Sequence, residues 1–310
     1  MIKVESVATI SNLADSFSGL WQSAERACEG LPLTRSLTHN LIVVTSASQA
    51  DATDRLLKGL LDRHPCRAFV VVIHEGPCDL EAQLSGLIRT QGKVRALVLE
   101  RLSLHSDWEH FRKLANLIRP LLVNDIHSSL FWANELPQDL AKIADLGSLV
   151  ERTIVDSTLL THDDRRSLEL LSDSAPLDLA WLRTGPWRRT LAEAFEHFEW
   201  QPEQAETQIK LVHGKSFGSL AASRCLGGWL SARLNAQAQL VEEEGEGPGG
   251  EPWQLELIHG PSHVQIRHLQ HEPRLIATVT LEDHCLLPAY TQATRGDRSR
   301  LLAAALGRSW

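Results

Sequence analysis

Three consecutive runs near the start of the chain restrict what it can fold into. "NLIVVTSAS" (40–48) is short, apolar and closed by turn residues, which is the pattern of a buried strand. "SQADATDRLLKGLLDR" (48–63) switches to helical spacing, with Leu56, Leu57, Leu60 and Leu61 on one face and Thr53 one turn earlier. "RAFVVVI" (67–73) returns to an apolar, β-branched run. A strand, an amphipathic helix and a second strand in direct succession call for a sheet with helices packed on it.

The same alternation of patterns runs through the first half. Residues 11–27 read as a helix with Leu13, Phe17, Leu20 and Trp21 on one face. "LEAQLSGLIRT" (80–90) places Leu80, Ala82, Leu84 and Ile88 on one side and Glu81, Gln83, Ser85 and Arg89 on the other. Leu87 interrupts the alternation, and Leu80, Leu84, Leu87 and Ile88 also fit a helix. The half-buried strand is preferred, because the turn "QGK" then leads into "VRALVLERL" as a hairpin. "WEHFRKLANLIRPLL" is an amphipathic helix, and "HSSLFWANE" and "RTIVDST" are strands. This half is expected to be a mixed sheet flanked by helices, over residues 1–160.

The second half, 161–310, is patterned differently. "DDRRSLELLSD" and "LAWLRTGPWRRTLAEAFEHF" read as helices, the second with Pro186 at its first position, where a missing N–H costs nothing. Trp187, Leu191, Ala194, Phe195 and Phe198 form its apolar stripe. "TQIKLV" is a strand, and "KSFGSLAASRCLGGWLSARL" is a helix apolar nearly all round. "VEEEGEGPGGEP" (241–252) reads as a solvated acidic connector, followed by the alternating strands "WQLELIHG", "HVQIRHL" and "RLIATVTL" and a short final helix. The fold class expected is α/β (α+β), the second part being an α+β domain with an antiparallel sheet.

Bulk properties narrow the function. The formal charge of −8 disfavours nonspecific nucleic-acid binding, which needs a basic footprint. No apolar run approaches the roughly 20 residues of a membrane span, and the N-terminus lacks the apolar core of a signal peptide, so a cytoplasmic location is expected. The five cysteines form no CxxC pair and argue against a disulfide framework. Nine Trp against one Tyr hint at a binding surface.

The chemical candidates each have a plain structural reading. In "RHPCRAFVVV", Cys66 beside His64 suggests a nucleophile and base, with Arg63 and Arg67 to lower the thiol pKa. No third group orients the base, and a helix-to-strand junction explains the same residues. "VHGKSFGS" resembles the end of a phosphate loop, but the glycine the pattern needs is Ile209. Lys215 and Ser216 could hold one phosphate at a helix start, with Arg183 converging on it, or Ser216 is simply an N-cap. "GEGPGG" follows a helix and is acidic, so it is no dinucleotide loop. His259, His263, His268 and His271 have no metal-ligand spacing, so no metal is expected.

A family resemblance then carries more than these motifs. "LIVVTS", "RHPCRAFVVV", "LEAQLSGLI" and "IRPLLVNDIHSSLFWANELP" resemble the N-terminal domain of the glucose-6-phosphate dehydrogenase assembly protein family, OpcA. "LDLAWLRTGPWRRTLAEAFEHF" and "SLAASRCLGGWLSARL" are similar to that family's Trp-x-Arg, Thr-x-Pro-Trp-Arg signature and its Gly-Trp-Leu helix. The resemblance implies a non-catalytic helper of glucose-6-phosphate dehydrogenase in the oxidative pentose phosphate pathway, with that enzyme as partner and no cofactor. Arg63, Arg67, Trp181, Arg183, Pro186, Trp187 and Arg188 are the candidate partner-binding residues. Trp187 lies on the apolar stripe and reads as core, which leaves Arg183 and Arg188 as the expected exposed contacts. The alternative is a sugar-phosphate-binding protein or enzyme using Lys215 and Ser216.

Overall fold

The computed structural model describes residues 2–28, 31–60, 63–92, 94–133, 141–159, 176–196, 206–244, 251–269, 272–282, 284–286, 288–293 and 297–307. The helix expected over 163–173 lies outside these. The chain divides into two compact units, residues 1–156, 160–177 and 302–310 in one, and 157–159 and 178–301 in the other. Among the described residues no helix is long and apolar enough to cross a membrane.

The first unit is built on one mixed sheet. Its strands are β1 (Ile2–Val7), β2 (Leu33–Arg35), β3 (His39–Ser46), β4 (Cys66–Ile73), β5 (Glu81–Gln91), β6 (Val94–Ser106), β7 (His127–Trp132), β8 (Arg152–Val155) and β9 (Leu177–Asp178). They run in the order β1-β5-β6-β4-β3-β7-β8-β9, with β2 beside the start of β6. β3 pairs parallel with both β4 and β7, β4 with β6, and β7 with β8. Taken in chain order, these five parallel strands lie 3-2-1-4-5, the arrangement of a doubly wound dinucleotide-binding sheet. The hairpin β5–β6 extends it antiparallel, so the segment that could have been a helix is a strand. Leu87 breaks the alternation because the ladder shifts register between Leu87 and Ile88.

Helices cover both faces. α1 (Leu13–Ala27), α3 (Phe111–Ile118) and α4 (Ala141–Gly147) bury Phe17, Leu20, Leu114, Ile118 and Ile143 against Ile42, Val44, Phe69 and Val71. The alternate residues Leu41, Val43, Val70 and Val72 point the other way and are equally buried. There α2 (Ala50–Leu60) packs on β3 through its buried Leu56, Leu57 and Leu60.

The second unit is an α+β layer. α5 (Leu179–Arg183) and α6 (Gly185–Phe195) precede β10 (Thr207–His213), α7 (Phe217–Leu234) and β11 (Ala238–Glu242), and β10 and β11 pair parallel. β12 (Gln254–His259), β13 (Ser262–His268), β14 (Arg274–Leu281), β15 (His284–Cys285) and β16 (Ala289–Gln292) complete the sheet. Its order is β11-β10-β12-β13-β14, with β15 and β16 both on β14. Ile209, Leu211, Leu255, Leu257, Val264, Ile266, Leu275 and Ala277 share one face and pack on Trp187, Leu191, Leu226 and Leu230. Gly227 lets α7 approach closely: a Cβ there would meet Leu211 Cδ1 at 3.1 Å and the Cβ of Ala238 at 3.3 Å. The last helix, α8 (Arg298–Leu306), ends within the first unit.

Candidate partner-binding site

The Trp-Leu-Arg-Thr-Gly-Pro-Trp-Arg stretch (181–188) folds as two short helices at a corner. Asp178 caps α5, accepting the Ala180 N–H at 2.9 Å, and Pro186 occupies the first turn of α6. This geometry buries Leu182, Arg183, Thr184 and Trp187 and leaves Trp181, Gly185, Pro186 and Arg188 half-buried. Trp187 is fully buried in the core of the second unit, as its stripe suggested. Arg183 is also buried, 4% exposed, and its Nη1 donates to Thr158 Oγ1 at 3.2 Å, so the expectation that it is exposed is corrected. It ends α5, and the corner that starts α6 at Gly185 leaves its side chain covered, which the apolar stripe of one continuous helix did not include.

Trp181 and Arg188 are half-buried and lie together. The Arg188 guanidinium stacks over the Trp181 ring with its Cζ 3.5 Å from the centroid. Its Nε donates to Thr184 Oγ1 at 3.2 Å and its Nη2 to the Trp181 carbonyl at 3.3 Å, while the Thr184 hydroxyl donates to the same carbonyl at 2.8 Å. Trp229 of α7 meets Trp181 edge to face, 6.3 Å between centroids. The arginine is thereby held flat on an indole, with Arg189 exposed beside it. Two half-exposed tryptophans and a fixed arginine form a small, pre-ordered patch of the residue types that dominate interface hot spots.

Behind this corner lies a residue that sequence reasoning misplaced. Glu251, read as part of a solvated connector, is fully buried. Its Oε2 accepts the Trp187 indole N–H at 3.3 Å and lies 3.1 Å from His268 Nε2, and its carbonyl accepts the Ser219 hydroxyl at 2.8 Å. Burial pushes its carboxyl up from the ordinary range, opposed by His268 and Trp187. The other end of the connector is also structured: Val241 and Glu242 end β11, and Glu244 pairs with Lys215 at 2.9 Å. Residues 245–250 lie outside the described set.

That pairing bears on the phosphate reading. Lys215 is engaged by Glu244, and Ser216 is the N-cap of α7, accepting the Ser219 N–H at 3.3 Å. The third candidate, Arg183, is buried and donates to Thr158. Of the histidines, His259 Nδ1 lies 3.1 Å from Thr207 Oγ1 and His268 is held by Glu251; His271 lies outside the described residues.

In the first unit, Arg63 is exposed but Arg67 is buried, 7% exposed, which removes it from the surface. Its Nε donates to Glu100 Oε2 at 2.6 Å, and its guanidinium lies 4.2 Å over the Phe17 ring. Glu100 also receives Arg35 Nη2 at 2.7 Å, so one buried carboxylate holds two arginines. Cys66 is fully buried, and desolvation pushes its thiol up to about 12, which makes it a poor nucleophile. His64 serves α8 instead. The end of that helix is met by His64 at the Ala303 carbonyl, by His39 Nε2 at the Leu306 carbonyl (3.2 Å) and by Arg152 Nη1 at the Ala305 carbonyl.

In a sheet of this order, ligands bind at the carboxyl ends of the strands, where β3 and β7 diverge. Here the turn from β3 into α2 reads Ser46-Ala47-Ser48-Gln49-Ala50-Asp51 and winds into a 3₁₀ turn. It carries no glycine, so the backbone cannot approach a pyrophosphate closely, and Asp51 puts a negative charge in the first turn of the helix. Past the end of β6, Asp107 accepts the N–H groups of Cys78, Glu109 and His110, and the bonds from His110 and Cys78 hold its carboxyl down to about 2.

Two family models match the chain, one described as the glucose-6-phosphate dehydrogenase subunit N-terminal domain over residues 58–173, the other as its C-terminal domain over 175–309. The chain belongs to the OpcA family. OpcA proteins are associated with assembly of glucose-6-phosphate dehydrogenase in the oxidative pentose phosphate pathway. A Synechocystis sp. protein named as an OxPP cycle protein OpcA is 25% identical over 179 residues, which span 55% of this chain and 37% of that protein. The chain thus matches little more than a third of that OpcA relative. Among solved structures, the chain is similar to glucose-6-phosphate 1-dehydrogenase from Mycobacterium avium, with 11% identity, a TM-score of 0.46 and 87% of each chain covered. It is also similar to a levoglucosan dehydrogenase complexed with NADH and L-sorbose, with 9% identity, a TM-score of 0.45, and 87% and 88% covered. An aldose–aldose oxidoreductase from Caulobacter crescentus follows at 10% identity, a TM-score of 0.44, and 86% and 88% covered. At such values the likeness says nothing about what this OpcA chain does.

Proposed function

We propose that the chain is a non-catalytic assembly factor and activator of glucose-6-phosphate dehydrogenase, acting by protein–protein binding. Family membership supports the choice of partner. The observation that carries the reading to this chain's own residues is the Trp181–Arg188–Trp229 patch, whose central arginine is stacked and doubly hydrogen-bonded before any partner arrives. Such pre-ordering reduces the entropy lost on binding. The non-catalytic part rests on the turn after β3, where Ser46 to Asp51 replace the glycine-rich cradle that a nicotinamide nucleotide uses. Arg63 and Arg189, both exposed, are secondary contacts. The reading is tested by dehydrogenase kinetics with and without an equimolar amount of the chain. A rise in rate or apparent affinity, or a shift in the enzyme's oligomer distribution, is expected with wild type and not with Arg188→Glu.

A further inference from the structure

The parallel strands of the first unit line up a row of basic side chains at their amino ends. β3 begins at His39, which lies opposite His127 at the start of β7 and opposite Cys66 at the start of β4. Arg152 begins β8, opposite Ser129 of β7, and His64 stands two residues before β4. The rings meet accordingly: His39 and His64 are edge to face with centroids 5.3 Å apart, and His39 and His127 are 6.3 Å apart. The end of α8 is seated on this row, with Leu302, Ala303, Ala305 and Leu306 buried. The last turn of a helix leaves carbonyls that need donors from outside it. Here His39 Nε2 lies 3.2 Å from the Leu306 carbonyl, Arg152 Nη1 donates to the Ala305 carbonyl, and His64 meets the Ala303 carbonyl. Gly307 lies so close to the His64 ring that a Cβ there would meet its Cε1 at 3.4 Å.

Neutral imidazoles are enough for these bonds. His39 Nε2–H donates to Leu306, and its Nδ1 faces the Thr38 hydroxyl at 3.1 Å, an oxygen that also reaches the Pro65 carbonyl at 2.9 Å. In the neutral ring that hydroxyl donates to Nδ1; once Nδ1 is protonated the hydroxyl turns to Pro65 and accepts instead. The ring keeps its partners in both forms, so what acid changes is the charge. His39 faces His64, His127 and Arg152, and His64 faces Arg63. α8 brings carbonyls to the row, its cations Arg298 and Arg300 lying at its other end. Glu151 is a carboxylate at the rim, 56% exposed, which lies 3.3 Å from His127 Nδ1 and accepts the Ser128 N–H at 2.8 Å. A helix carboxyl end favours cations, and the Leu306 and Ala303 carbonyls do favour charged rings. Burial and the neighbouring cationic groups outweigh them and hold His39 and His64 below the ordinary value. The support the two rings give is therefore present above about 6.5 and lost as pH falls toward their folded values.

We infer that His39, His64, His127 and Arg152 form an acid-opened latch on the end of α8, which is seated while the histidines are neutral and released as they charge. The inference is independent of the function proposed above. The test is amide hydrogen exchange of the full chain at pH 7.5 and 5.5, corrected for intrinsic exchange rates, with residues 302–307 compared with Ile42, Val44, Val70 and Val71 of the sheet core. One pH unit below 6.5, a single histidine lowers protection by up to about tenfold. With two histidines involved, residues 302–307 should lose at least about fivefold in protection, and they should be less protected than the sheet core at both pH values. His39→Gln keeps a donor for the Leu306 carbonyl but takes up no proton, so it should shrink the loss, and His39→Gln with His64→Gln should remove most of it. Equal protection of residues 302–307 at the two pH values in wild type overturns the inference. So does a helix end that exchanges only together with the sheet core, or a loss that His39→Gln leaves undiminished.

Discussion

Removing the Glu251 side chain is the sharpest perturbation of the second unit. Glu251→Ala leaves the Trp187 indole N–H and the His268 imidazole without their shared acceptor, in a site where Trp187 is fully buried. Each orphaned buried group costs about 1–3 kcal/mol. With the void left by the lost side chain, the total is about 3–5 kcal/mol, the range seen when one partner of a buried ionic pair is removed. For a unit of this size about 1 kcal/mol moves the melting temperature by roughly 3–6 °C, so the transition of the second unit should fall by roughly 10–20 °C. Calorimetry follows the transition of the second unit. Glu251→Gln keeps the shape and an acceptor oxygen and should fall far less. The sign with pH follows from the raised carboxyl. A group whose folded value is raised contributes stability below its unfolded value and loses it as pH rises through the folded one. Wild type should therefore lose ground to Glu251→Gln as pH rises above about 4.5. A Glu251→Ala variant that melts within 2 °C of wild type, about 0.5 kcal/mol, would show that the end of the connector does not pack, and would refute the reasoning.

Other expectations follow from the same geometry. Arg183→Glu should destabilise by about 3–5 kcal/mol in denaturant melts, because it places an unpaired carboxylate in a buried site. Arg188→Glu should cost only about 1–2 kcal/mol through the lost stack, but weaken dehydrogenase binding at least tenfold, about 1.4 kcal/mol, in a titration. Burial and neighbouring cationic groups lower the pKa values of His39 and His64, so the stability they contribute is present above about 6.5 and lost as pH falls below it. Melts of the first unit between pH 7.5 and 5 should show this loss, and His39→Gln should flatten it. Cys66 should resist alkylation at pH 8 until the chain is denatured, since its thiol is pushed up to about 12.

What could be read from the residues was local. The hairpin at 81–106, the strands 254–281 and the Ser216 cap depend on alternation, turn residues and adjacent amides, all within a few positions. What could not be read was set by distant partners. β1 is short, and it pairs with β5, some 80 residues on, so alternation in "IKVESV" did not mark it as a strand. Arg67 looked like a surface cation until Glu100 was placed beside it across the β4–β6 pairing. Glu251 sits in an acidic, glycine-rich stretch, and its composition gave no sign that Trp187 and His268 converge on it. Arg183 and Arg188 belong to one motif, yet helix geometry buries the first and leaves the second half-exposed on Trp181. For the candidate site, the residue types were therefore legible and their directions were not.

The central claim is that this chain binds and activates glucose-6-phosphate dehydrogenase through the Trp181–Arg188–Trp229 patch without chemistry of its own. The most direct measurement is a titration of that dehydrogenase with wild type and with Arg188→Glu, following NADPH formation and complex size together. The account predicts no turnover from the chain alone, saturable activation with complex formation by wild type, and at least tenfold weaker activation by the variant at a temperature where both remain folded. Turnover by the chain alone, or equal activation by both proteins, would contradict it.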